Sequence, residues 1–197
     1  MIQPVRRKSS VAFVLLAGVV SSIGCASSEA DSLEAQQWLR AQATRDTSVL
    51  WAMLCPRDQA AVKDYYTDLT ALDEAIQTFY PEADVASART RTQIEFLDEV
   101  QNERDLFGVF IARTASASRL SRFQEFGLRS TARTEGEDGI TVRTLGGDSV
   151  AFTIVDGAHR AQLSDEDRMR IAALRSTAQN MRQSLLQRIE DRKKKRL

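Results

Sequence analysis

The chain predicts an α+β fold in which N-terminal helices precede an antiparallel β-meander and a long C-terminal amphipathic helix. Three observations predict it. From Leu33 to Leu106, apolar residues recur at steps of three and four. From Phe126 to Leu163, short β-prone runs alternate with Gly- and Asp-rich turns. From Ser164 the three-and-four spacing returns and runs nearly to the end.

The helices can be placed one by one. Ser32–Thr44 carries Leu33, Trp38 and Leu39 among Ala and Gln, behind a candidate cap at Asp31 or Ser32. Asp46 can cap a second, short helix filled by Val49, Leu50, Trp51, Met53 and Leu54 and stopped by Pro56. Asp58 is the expected cap of a longer helix reaching about Tyr80. Its stripe is Val62, Tyr65, Tyr66, Leu69, Leu72, Ile76, Phe79 and Tyr80, and Pro81 ends it. A further helical stretch is expected from about Val85 to Leu106, with Ile94, Leu97 and Val100 on one side and an acidic opposite side.

The period then changes. Phe107-Gly108-Val109-Phe110-Ile111 reads as β-prone. Phe126–Thr134, Ile140–Leu145 and Ser149–Val155 read as strands, the last through its Val150-Phe152-Ile154 alternation. Turns are expected at Glu135–Gly139, Gly146-Gly147-Asp148 and Asp156-Gly157, with a last short strand near His159–Leu163. Ser164-Asp165-Glu166-Asp167 is a capping box opening the final helix. Ile171, Leu174, Ala178, Met181, Leu185 and Ile189 form a narrow seam along it. The seam can pack on this chain's own sheet or helices, or on a partner helix or second copy.

The chain's start reads as an address. A basic segment (Arg6, Arg7, Lys8) precedes an apolar run, Val11–Val20, and small residues follow up to Cys25. This is the layout of a secretory signal. A run of about ten residues falls short of the roughly twenty that span a bilayer as a helix. Ser21-Ser22-Ile23-Gly24-Cys25 resembles a bacterial lipobox. The resemblance implies cleavage between Gly24 and Cys25, a diacylglyceryl thioether on Cys25 and a fatty acyl group such as palmitate on its new amine. With Ala26 rather than Asp after the Cys, it further implies the outer membrane, facing the periplasm, ahead of the inner membrane or cell surface. The expected organisation is a signal peptide at 1–24, a lipidated Cys and short tether at 25–32, a globular α+β domain at 33–163 and a basic amphipathic helix at 164–197.

Charge narrows the function classes. Formal net charge is 0, but Arg182–Leu197 holds seven basic and two acidic residues, which leaves the body between Ala26 and Met181 acidic. An acidic body argues against nucleic acid as a partner. Lys193, Lys194, Lys195 and Arg196 are candidate contacts to an anionic surface, and equally suit a solvated helix C-terminus. With lipidation consuming Cys25, Cys55 is the one remaining thiol and reads as a small buried hydrophobe. One histidine, His159, and one thiol cannot make a multi-His zinc site, so no metal and no cofactor is expected. No nucleophile-elbow, metalloprotease, P-loop or dinucleotide-binding signature occurs, and no catalytic residue is assigned.

Two short stretches carry a second resemblance. Asp46–Arg57 (Asp-Thr-Ser-Val-Leu-Trp-Ala-Met-Leu-Cys-Pro-Arg) is similar to the second helix of NTF2-like, SnoaL-type domains. Thr153–Arg160 is similar to that fold's late hairpin, with His159 where the family has Trp. The resemblance implies a curved sheet wrapped by helices around a pocket. Two functions are therefore expected. One is a non-enzymatic envelope lipoprotein that acts as an accessory or interaction module on a periplasmic protein. The other is an NTF2-like ligand-binding or enzymatic domain with a pocket near His159.

Overall fold

The computed structural model describes residues 29–114, 128–133, 139–144 and 149–195. They form an α+β architecture. Five helices come first: α1 (Glu29–Thr44), α2 (Thr47–Met53), α3 (Pro56–Phe79), α4 (Glu82–Thr92) and α5 (Glu103–Thr114), with a 3₁₀ turn at Glu95–Glu99. Four strands follow: β1 (Leu128–Arg133), β2 (Gly139–Thr144), β3 (Ser149–Val155) and β4 (Ala158–Ala161). The chain closes on α6 (Asp165–Lys194).

The strands make one antiparallel sheet in the order β1-β2-β3-β4. Ile140 pairs with Phe152, and Phe152 with Ala161, so these three lie in one cross-strand row, each almost wholly buried. The β3–β4 hairpin turns on Asp156-Gly157, with φ of 52° and 77°. Positive φ at both central positions defines the twist-matched two-residue turn, which Asp-Gly tolerates and bulkier residues do not. Gly139 answers a different need: a Cβ there would sit 2.6 Å from the Phe152 carbonyl oxygen.

α3 and α6 run side by side in the same direction. Asp58 meets Arg168 near their starts, Asp68 meets Arg175 and Gln179 midway, and Phe79 meets Arg192 near their ends. At 1.5 Å per residue α3 is roughly 36 Å long, so the pair forms an arm of that reach. Its near end is fixed to the sheet, where Leu54 bridges Ala161 and Cys55 N–H bonds the Ala161 carbonyl. α1 packs at this same end, against α2, β1 and β4.

Several elements differ from the sequence expectation. Residues 107–111 are not a strand but the middle of α5. Phe107 packs on Trp51 with ring centroids 5.5 Å apart, and Gly108 lets α5 approach Thr47 of α2. This packing overrides the β-propensity of Phe, Val and Ile. The helix expected from Val85 to Leu106 is broken at Gln93, which takes a left-handed φ of 58° and closes α4. α1 already contains Asp31 and Ser32, expected as caps. Asp46 does cap α2, accepting from Val49 N–H at 3.1 Å, and Ser164 caps α6 through Asp167 N–H. Asp58 is not the cap of α3, which begins at Pro56; it lies in the first turn and is 1% exposed. The turns expected at 135–138 and 146–148 lie outside the described residues.

Candidate functional site

Cys25 and Gly24, the expected lipidation and cleavage residues, lie outside the described residues, as does Arg196. Among the described residues, no helix is long and apolar enough to cross a membrane.

The seam residues are placed by α3. Ile171, Ala178 and Leu185, seven residues apart, are buried in the core, and Met181 packs against it. Leu174 stands 39% exposed and Ile189 is half-buried. The helix that this seam meets is thus α3 of the same chain. Arg175 adds ion pairs to Asp64 and Asp68 of α3 at 3.1 and 3.0 Å. Helix α6, Asp165–Lys194, lies against α3 along this contact.

Asp58 anchors the near end of the arm. One carboxylate oxygen accepts from Leu163 N–H at 2.7 Å and from the Cys55 thiol at 3.1 Å; the other accepts from Arg168 Nε at 2.9 Å. Arg168 Nη2 also reaches Asp58 at 3.2 Å and donates to Gln162 at 3.1 Å. Burial alone pushes the Asp58 carboxyl up, but the Arg168, Leu163 and Cys55 hydrogen bonds outweigh it and hold the carboxyl below its ordinary value. Burial pushes the Cys55 thiol up, so Cys55 is an inert donor rather than a nucleophile. The network joins the starts of α3 and α6 to the strand that precedes α6.

His159 lies on β4 and is tied to α1. Its Nδ1 sits 2.5 Å from Glu34 Oε2, which also accepts the His159 backbone N–H at 3.0 Å. Its ring is one-tenth exposed and packs a sheet edge to α1.

The far end of the arm collects aromatic and basic groups. Phe79 and Tyr80 meet edge to face with centroids 4.8 Å apart. The Arg192 guanidinium lies 3.9 Å above the Phe79 ring and donates to the Phe79 carbonyl at 3.2 Å; Arg91 lies 5.6 Å from the Tyr80 ring. Phe79, Tyr80 and Arg192, together with Pro81, Ile189 and Lys193, border a cleft of about 410 Å³. Lys193, Lys194 and Lys195 follow, all exposed. Acids stand close in sequence too: Glu82 and Asp84 on α4, and Glu190 and Asp191 on α6.

A second cleft, of about 460 Å³ and open on one side, lies between α1, the β2–β3 strands and the start of α6. Trp38, Gln42, Asp165, Glu166, Asp167 and Arg168 are among its lining; His159 is not. Sequence reasoning missed both Asp58 and this cleft. Two of the partners of Asp58, Leu163 and Arg168, are more than a hundred positions away, and no local pattern marks them.

No protein-family model matches the chain, no curated protein matches it in sequence, and no solved structure matches it.

Proposed function

We propose that the chain is an envelope lipoprotein acting as a non-enzymatic interaction module. A lipid on Cys25 holds it at the outer membrane on the periplasmic side, and the basic–aromatic end of the α3–α6 arm engages an acidic surface of another protein. The observation that carries this reading is the polarity of the arm. α1, which begins within the expected tether at Glu29, packs at the sheet end, whereas Phe79, Tyr80, Arg192 and Lys193–Lys195 gather at the opposite end. Because Ile171, Ala178 and Leu185 are already covered by α3, the contact surface is this charged end rather than the seam. A rigid arm about 36 Å long keeps the two ends apart, so tethering one leaves the other free to bind.

Electrostatics sets the expected size of the effect. Each exposed ion pair contributes about 0.2–1 kcal/mol, so three contribute at most about 3 kcal/mol, or up to roughly a hundredfold in affinity at low salt. A photo-crosslinking residue placed at Tyr80 in living cells is expected to give a discrete protein adduct. Reversal of Lys193, Lys194 and Lys195 to Glu should remove it. The same adduct in the reversed protein, or no adduct at all, would contradict the reading. A second reading, small-ligand binding, is favoured by the cleft on α1.

A further inference from the structure

The far end of the α3–α6 arm is a shaped cleft as well as a charged tip. On α6, Ile189, Arg192 and Lys193 fall at steps of three and four, hence on one face. That face meets the end of α3, and with Phe79, Tyr80 and Pro81 it borders the cleft of about 410 Å³. Glu190 and Asp191 lie between them in sequence. At about 100° per residue they turn to other sides of the helix, and neither lines the cleft. Glu82 and Asp84, in the first turn of α4, do not line it either. Among the described residues, the lining holds two cations and no acid.

Arg192 is fixed with one edge left over. Its guanidinium lies 3.9 Å above the Phe79 ring, and its Nη1 donates to the Phe79 carbonyl at 3.2 Å. The stacking and this bond together set its plane. Nε and Nη2 have no partner among the described residues, and Arg192 is exposed. An Nε–Nη2 edge is one side of the planar fork that grips a carboxylate through two parallel N–H···O bonds. The lining beside it is largely apolar, from Phe79, Tyr80, Pro81 and Ile189, each at least partly exposed. A carboxylate fork and uncovered apolar surface therefore stand side by side.

We propose that this cleft seats one bulky apolar side chain of an acidic peptide segment, whose neighbouring carboxylate pairs with the Nε–Nη2 edge of Arg192. The inference rests on the arm's end being the contact for an acidic partner, and it names the segment that the partner presents. Lys193, Lys194 and Lys195 follow Arg192 without a break, all exposed. Four consecutive cations match a run of carboxylates, where a chain terminus or a small acid supplies one. An anionic membrane is a broad surface and would also meet Glu82, Asp84, Glu190 and Asp191, all exposed at the same end. A peptide seated in the cleft meets a lining without acids.

The test uses the full chain extracted from membranes in detergent, with two peptides of equal charge: acetyl-Glu-Glu-Phe-Glu-Glu-amide and its counterpart with Ala for Phe. By calorimetry, the Phe peptide is expected to bind about tenfold or more tightly than the Ala peptide. Ile189→Ala should narrow that preference. Arg192→Lys keeps the charge but lacks the fork, and should weaken the Phe peptide about tenfold. Unchanged far-UV dichroism shows that both variants fold. Equal binding of the two peptides would overturn the seated side chain and leave the acidic contact standing. An unchanged preference in Ile189→Ala, or unchanged binding in Arg192→Lys, would overturn the inference as well. If neither peptide binds, it falls, while the Tyr80 adduct decides the broader contact separately. Soluble dihexanoylphosphatidylglycerol that binds through Arg192 where neither peptide does would make the occupant a lipid, and the inference falls.

Discussion

Arg168→Leu is expected to destabilise the fold by about 3–5 kcal/mol, the effect of removing one partner from a buried ion pair. For a chain of this size that lowers Tm by roughly 6–20 °C. The substitution strands the Asp58 carboxylate at 1% exposure with only Leu163 N–H and the Cys55 thiol to solvate it. Asp58→Ala should be somewhat milder. It orphans the Leu163 N–H, but the Arg168 guanidinium is one-fifth exposed and keeps Asp165. Asp58→Asn should be milder still. The pH dependence follows from the depressed Asp58 carboxyl. A carboxyl whose folded-state value lies below its unfolded value stabilises fully above the unfolded value and ceases to do so as pH falls through the folded one. The margin of the native chain over Asp58→Asn should therefore be constant above about pH 5 and shrink below about pH 4. Thermal melts of the three variants between pH 3 and pH 7 measure both effects. A margin that grows on acidification would show that the carboxylate is not what Arg168 holds.

Cys25→Ser is expected to release the protein from the membrane fraction almost completely. The apolar run at 11–20 is about half the length a spanning helix needs, and no described helix is long and apolar enough to cross a bilayer. In the proposed reading, membrane attachment depends on acyl chains. Each buried CH₂ contributes about 0.8 kcal/mol, so one chain holds marginally and two or three hold stably. Serine accepts no thioether, so the variant loses the diacylglyceryl group, and a form released from the membrane should accumulate. Fractionation with a carbonate wash reads this out. A Cys25→Ser protein that stays in the washed membrane would mean that another part of the chain holds it there.

The elements that were legible in the sequence are those whose signals are local. Ser149–Val155 alternates around Phe152, Asp156-Gly157 supplies the positive-φ turn, and Ser164 caps α6; each signal lies within a few residues of what it determines. Phe107–Ile111 misled because its composition suits a strand, while its helical state depends on Trp51 and Thr47, more than fifty positions earlier. Gln93 carries no breaker signature, yet its left-handed backbone splits a pattern that reads as one helix. Asp58 shows the same limit at the site level. An Asp two residues after a Pro looks like a cap, and its role as a buried acid exists only once Leu163 and Arg168 arrive. The cleft on α1 was hidden for a related reason: Trp38 and Gln42 read as ordinary helix residues until β3 and the start of α6 form the opposite walls.

The tether at Cys25 is tested most directly by intact mass spectrometry of the protein extracted from membranes. The expected species is a chain that begins at Cys25 and carries a diacylglyceryl group plus one amide-linked acyl group. A chain that retains residues 1–24, or begins elsewhere with an unmodified amine, would contradict it.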